Sequence, residues 1–238
     1  LGDYSPQVKR EKCSTVLDGV RSYFGDNVVY ARGCGVFEGT QEEQTEAVKL
    51  AEQSDITILV LGGSSSRFGE VSFDANGAAI SEHGVSMDCG EGVDTSELSL
   101  PIEQRELAEK IFATGSKVIT VIIGGRAYAL DTIAEKSDAV LYAFYPGMQG
   151  GKAIAEILFG DVNPSGRLPV SLPRCSRQLP VYYNYKNSYR SMHYYNIPDG
   201  AAYTFGYGKS YTEFVYEDVS FGNTEVALDE LHKNGIQA

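Results

Sequence analysis

Three nearly uninterrupted apolar runs constrain the fold of this 238-residue chain more than any other feature. Residues 55–62 read Asp-Ile-Thr-Ile-Leu-Val-Leu-Gly, residues 117–124 read Lys-Val-Ile-Thr-Val-Ile-Ile-Gly, and residues 139–145 read Ala-Val-Leu-Tyr-Ala-Phe-Tyr. Runs this short, rich in β-branched residues and without polar alternation, suit strands buried on both faces. Between them the apolar residues take helical spacing. Ala47, Val48, Leu50 and Ala51 share a face after Thr40, which with Glu43 has the spacing of a capping box. Leu107, Ile111 and Phe112 follow Pro101, a helix-opening proline, and Ala153, Ile154 and Ile157 precede Gly160. Further helices are expected over 13–23 and 130–135. The alternation predicts an α/β fold, a mostly parallel sheet with helices on both faces, in other words a three-layer α/β sandwich. A short strand over 27–31, an edge strand over 170–172 and a strand over 211–216 complete the expectation.

Right-handed crossovers gather the post-strand loops on one sheet edge, where open α/β sheets bind ligands. Gly62-Gly63-Ser64-Ser65-Ser66-Arg67, Gly124-Gly125-Arg126 and Pro146-Gly147 share that edge. A long irregular insertion leaves the first of them and ends in Met87-Asp88-Cys89-Gly90-Glu91-Gly92-Val93-Asp94. Two glycines let the backbone turn sharply around the one carboxylate between them. Glu91 is therefore the candidate general acid/base. Glu82 ranks behind it, and Asp88 and Asp94 lie near enough in sequence to take the role. Asp94 is better read as an acceptor of backbone N–H groups that holds the loop. Arg67, Arg126 and Arg167 are the cations that could pair with these acids, Arg167 being more in keeping with a structural role inside the turn-rich stretch 161–169.

Composition closes off several classes. A net charge of -12 disfavours polyanions, so no nucleic acid and no anionic membrane is expected as a partner. No apolar run approaches the roughly 20 residues needed to span a bilayer. Cys13, Cys34, Cys89 and Cys175 form no C-x-x-C pair and have no histidine at ligand spacing, so neither a metal nor a cofactor is expected. Scattered cysteines of this kind read as reduced thiols, favouring the cytoplasm over a secreted or periplasmic location. Walker and G-x-G-x-x-G signatures are missing, against a nucleotide site. Tyr182, Tyr183, Tyr185, Tyr189, Tyr194 and Tyr195 suit either stacking on sugar faces or packing an excursion back onto the domain. Leu1-Gly2-Asp3-Tyr4, lacking a methionine, reads as the start of a fragment or a processed product.

Four motifs in order resemble glycoside hydrolase family 3, the β-glucosidase and β-xylosidase family. They are Cys89-Gly90-Glu91-Gly92-Val93-Asp94 before Leu98-Ser99-Leu100-Pro101, Tyr145-Pro146-Gly147 before Gly150-Gly151, Phe159-Gly160-Asp161-Val162-Asn163-Pro164-Ser165-Gly166-Arg167-Leu168-Pro169, and Phe205-Gly206-Tyr207-Gly208 before Ser210-Tyr211-Thr212. The resemblance is to the family's second domain, an α/β sandwich that follows a TIM-like barrel and usually precedes a fibronectin-III-like domain. It implies that residues 1–215 are that domain and that 216–238 are a linker and the start of a truncated fibronectin-III-like segment. It implies a retaining hydrolase of β-linked glucosides or xylosides, with the nucleophilic aspartate on the barrel and the acid/base at Glu91. Ser64-Ser65-Ser66-Arg67 resembles the loop that nears the sugar, so Ser65, Ser66 and Arg67, with Glu82, are the expected substrate-binding residues. The expected partners are a β-linked oligosaccharide or aryl glycoside and the N-terminal barrel of the same protein, and a homo-oligomer is also allowed. Thr95 stands where many members carry arginine, so the motif itself supplies no Asp–Arg pair, and Lys209 stands where leucine is common. The rival reading is a non-catalytic α/β module that binds a carbohydrate or a partner.

Overall fold

The computed structural model describes residues 2, 5, 8–65, 72–73, 75–76, 79–80, 87–184, 193–215, 217–218 and 220. Helix α1 spans Val16–Phe24 and α2 spans Gln41–Glu52. Strand β1 (Ile56–Gly62) follows, then a short antiparallel pair, β2 (Ser72–Phe73) and β3 (Ala79–Ile80). After these come α3 (Ile102–Ala113), β4 (Lys117–Ile123), α4 (Asp131–Lys136), β5 (Ala139–Phe144) and α5 (Gly150–Leu158). The three long strands form one parallel sheet in the order β1-β4-β5, with β1 and β4 in register from Ile56 opposite Lys117 to Gly62 opposite Ile123. This is the α/β architecture the apolar runs predict.

Side chains alternate across a strand, so each strand serves two layers. On one face Leu59, Leu61, Val118 and Ile122 pack with Ala51 of α2, with Leu107, Ala108 and Ile111 of α3, and with Ile133 of α4. On the other face Val121 is fully buried, and helices α1 and α5 pair with each other along their lengths with Val20, Ile154 and Ala155 buried. Glycines set the closeness of that pair. A Cβ on Gly19 would collide with the Gly151 carbonyl oxygen, and one on Gly151 would collide with the Thr15 carbonyl oxygen. Backbone bonds stitch the same seam, Ser14 N–H to Met148 O at 2.7 Å and Gly151 N–H to Ser14 O at 2.9 Å.

Gln104, buried on α3, completes the end of β1. Its Oε1 accepts the Gly62 N–H at 2.8 Å, and its Nε2 donates to Gly62 O at 2.7 Å and to Val36 O at 3.0 Å. A side-chain amide thus satisfies both backbone groups of a buried strand terminus, which would be costly left unpaired.

Several expectations need correction. Strand β1 is not buried on both faces: Ile56 and Val60 are 53% and 44% exposed, and among the described residues β4 is its single neighbour. Central β4 is the most buried of the three, with Val118, Thr120, Val121 and Ile122 inside and Lys117 exposed, and β5 begins exposed at Ala139 and Val140. No strand forms over 27–31, where a 3-10 turn, Gly25–Asn27, runs into irregular chain. At 170–172 pairing shrinks to one bridge, Leu172 with Tyr203, and described residues 211–215 hold no strand. The β2–β3 pair lies within an insertion read from sequence as irregular.

Candidate functional site

The loops after β1 and β4 meet the segment 87–100 at the C-terminal edge of the sheet. Gly63 N–H reaches Ile123 O at 3.0 Å, and Ala129 N–H reaches Leu98 O at 2.9 Å. Asp88 is the buried knot of this junction. Its N–H donates to Ser64 O at 3.0 Å, its Oδ1 accepts the Ser64 N–H at 2.9 Å, and its Oδ2 accepts the Tyr128 hydroxyl. A carboxylate removed from water needs donors of this kind. Tyr128 is 1% exposed, and burial, with the Asp88 carboxylate as a second cause, pushes its hydroxyl well above the usual range. Tyr142 of β5 bridges the loop after β4, its hydroxyl accepting the Tyr128 N–H at 3.0 Å and donating to Arg126 O. Burial raises the Tyr142 hydroxyl to about 12. Sequence reasoning missed both tyrosines. The available signal was Gly63, where a Cβ would collide with the Asp88 carboxylate and the Tyr128 hydroxyl.

From Asp88 the chain rises into the turn carrying Glu91. Val93 N–H bonds back to Gly90 O at 3.2 Å, closing a four-residue turn with Glu91 second and Gly92 third. Gly92 has φ 72°. A positive φ at the third position is the signature of a type II turn and favours glycine. Glu91 therefore occupies the corner and is exposed. Below it Cys89 Sγ lies 3.4 Å from the Tyr145 hydroxyl, and Ser65, 4% exposed, also hydrogen-bonds Tyr145.

Beyond the turn, Asp94 Oδ1 accepts the Thr95 N–H at 2.8 Å and pairs with Arg126 Nη1 at 2.8 Å. These two contacts, the backbone one first, hold the Asp94 carboxyl below the usual range. Arg126 Nη2 donates to Asp88 O at 2.7 Å. Its Nε–H is buried and finds no acceptor among the described residues. The Asp–Arg pair that Thr95 withholds from the motif is thus made by an arginine from the loop after β4. Arg167 keeps the structural role read from sequence, donating to the carbonyls of Ser165 and Gly166. Ser66, Arg67 and Glu82, expected at the substrate, lie outside the described residues. Among the described residues no group of three or more His, Cys, Asp or Glu side chains could hold a metal ion, and no helix is long and apolar enough to cross a membrane.

Chemically, this edge presents the exposed Glu91 carboxylate at the corner of a turn, with the exposed Asp94 carboxylate already paired to Arg126 beside it. That suits proton transfer to and from a bound molecule. Comparison with known proteins identifies the family. The family model described as "Glycosyl hydrolase family 3 C-terminal domain" matches residues 1–211. A "Beta-xylosidase" of Formosa agariphila is 36% identical over 220 residues, covering 90% of this chain and 28% of that protein. The "Periplasmic beta-glucosidase" of Salmonella typhimurium is 31% identical over 261 residues, covering 96% of this chain and 31% of that protein. Among solved structures, a β-glucosidase from Listeria innocua in complex with isofagomine superposes with a TM-score of 0.77 at 28% identity, over 93% of this chain and 29% of that one. The chain thus spans less than a third of the length of each.

Proposed function

This chain belongs to the glycosyl hydrolase family 3 C-terminal domain family, and on that premise we propose that it forms one wall of the active site of a retaining β-glycosidase. The proposed substrates are β-linked glucosides or xylosides. Its partner is an N-terminal TIM-like barrel of the same protein carrying the nucleophilic carboxylate. Residues 1–215 act as the domain, and 216–238 lead toward a fibronectin-III-like segment. The observation that carries the reading is the exposed carboxylate of Glu91 at the corner of a glycine turn, on the edge where the strands end.

Retaining glycosidases place two carboxyl groups about 5–5.5 Å apart across the scissile bond. In the first step the barrel carboxylate attacks the anomeric carbon while Glu91 gives its proton to the leaving oxygen. In the second, Glu91 takes a proton from water as water displaces the enzyme carboxylate. The acid role needs a carboxyl protonated at working pH, and closing the cleft against a second domain supplies the desolvation that favours this form. Ser65, Ser66, Arg67 and Glu82 are proposed as the substrate-binding residues.

The test is hydrolysis of 4-nitrophenyl β-glucoside and β-xyloside by the full-length protein and its Glu91→Ala variant, with and without azide. The expected outcome is a loss of about 10²–10⁴-fold that azide restores, since a small anion attacks the glycosyl-enzyme without a general base. A loss without rescue, or no loss, assigns the role elsewhere.

A further inference from the structure

We propose that Arg126 is a positioning residue for Glu91, acting through the loop 88–94, an inference that rests on the acid/base reading of Glu91. One guanidinium reaches both ends of that loop. Nη2 binds the carbonyl oxygen of Asp88, its first residue, and Nη1 pairs with the carboxylate of Asp94, its last. Glu91 sits midway between the two anchor points. The turn bond from Val93 to Gly90 holds the corner but says nothing about how the corner is aimed. Both ends of the loop are held by the same planar cation. The Arg126 side chain is 16% exposed, whereas Asp94 is 83% exposed, so the buried partner fixes the exposed one.

Arg126 is itself braced. The Tyr142 hydroxyl from β5 donates to its carbonyl oxygen, and the Tyr128 N–H two residues on donates to that same hydroxyl. The line of support therefore runs from the sheet, through Tyr142 and the loop after β4, to the guanidinium and the catalytic turn. Arginine suits the task because its rigid fork presents separate N–H groups to two acceptors at once. A lysine ammonium is a single point on a flexible stem. Removing the guanidinium leaves the Asp88 end tied to Ser64 and Tyr128, while the Asp94 end loses its ion pair. The loop then pivots rather than detaches, and Glu91 shifts sideways. A misplacement of about 1 Å costs up to about 10²-fold in rate.

A misaimed acid has a signature that a merely loosened fold lacks. Poor leaving groups need the proton from Glu91, whereas a 2,4-dinitrophenolate departs without it. The experiment measures kcat/KM for aryl β-glycosides of graded leaving-group basicity, with the full-length protein and its Arg126→Ala, Arg126→Lys and Asp94→Asn variants. For Arg126→Ala the expected loss is about 10–100-fold on the most basic leaving groups and less than about threefold on the dinitrophenyl substrate. Arg126→Lys follows alanine rather than wild type, and Asp94→Asn gives a smaller loss of the same slope. An equal loss across all leaving groups, accompanied by a lower melting temperature, or no loss at all, overturns the proposal. Glu91→Ala in the same series separates the two readings. If it shows no steep leaving-group dependence and no azide rescue, the acid/base reading itself fails. If it shows both while the Arg126 variants parallel wild type, only the positioning role fails. Should Arg126→Ala not fold, the exposed Asp94→Asn variant decides.

Discussion

At Gly92 the chain turns with φ 72°, and a Cβ built there would meet no atom within 4 Å. Space is therefore not the constraint. The left-handed backbone is, and it costs an L-residue about 1–2 kcal/mol. Gly92→Ala is expected to lower unfolding free energy in urea by about 1 kcal/mol and, on the proposed acid/base role of Glu91, to lower activity by re-aiming it. An unchanged midpoint would mean the turn relaxes at no cost. At this scale the sequence was partly legible. Glycines on both sides of one glutamate marked the turn and its carboxylate, because that signal is local. The Arg126–Asp94 pair was not readable as a definite contact, since its members lie on different loops and meet only once β1 and β4 align. Buried Asp88 looked like one more acid of the loop, because composition does not tell a solvated carboxylate from one held by Ser64 and Tyr128.

Helix α1 illustrates how an element's end is secured. Thr15 Oγ1 accepts the Asp18 N–H at 3.2 Å, and Asp18 Oδ2 accepts the Thr15 N–H at 2.8 Å, a reciprocal capping box. Arg10 pairs with the same carboxylate at 2.7 Å. The Thr15 bonds, with Arg10 as a lesser cause, lower the Asp18 carboxyl to about 2. Its folded value lies below the unfolded one near 3.9, so this contribution is complete above about pH 4 and is lost as pH falls toward 2. Thr15→Ala is expected to destabilise by about 1 kcal/mol. Asp18→Asn should flatten the pH dependence of unfolding in that acid window, measured by urea melts at stepped pH. The Arg10 pair adds little, because both partners are solvent-exposed and screened. The box at Thr40 was legible in its T-x-x-E spelling and structure repeats it. The one at Thr15 was overlooked because aspartate fills the third position, so the helix was read as starting at residue 13 rather than Val16.

For the whole molecule, the three long strands and the parallel order were legible because burial of a central strand leaves no room for polar alternation. What failed was coverage: nothing in an apolar run says whether it lies at the centre of a sheet or at its edge, and among the described residues β1 lies at an edge. If the chain is one wall of a two-carboxylate site, as proposed, the 238-residue chain by itself is expected to release no 4-nitrophenolate from β-glucosides or β-xylosides above the buffer rate. Robust turnover by the purified chain would place both carboxylates within it. The seam between α1 and α5 has a consequence for the order of events at the ribosome. Only glycine fits at position 19, packed against the backbone of Gly151 about 130 residues further on. At about 5–20 residues per second, the first helix is made on the order of ten seconds before the surface that receives it. Through that interval the apolar side of α1 has no native neighbour, and holding it apart from other chains falls to whatever meets the nascent protein first.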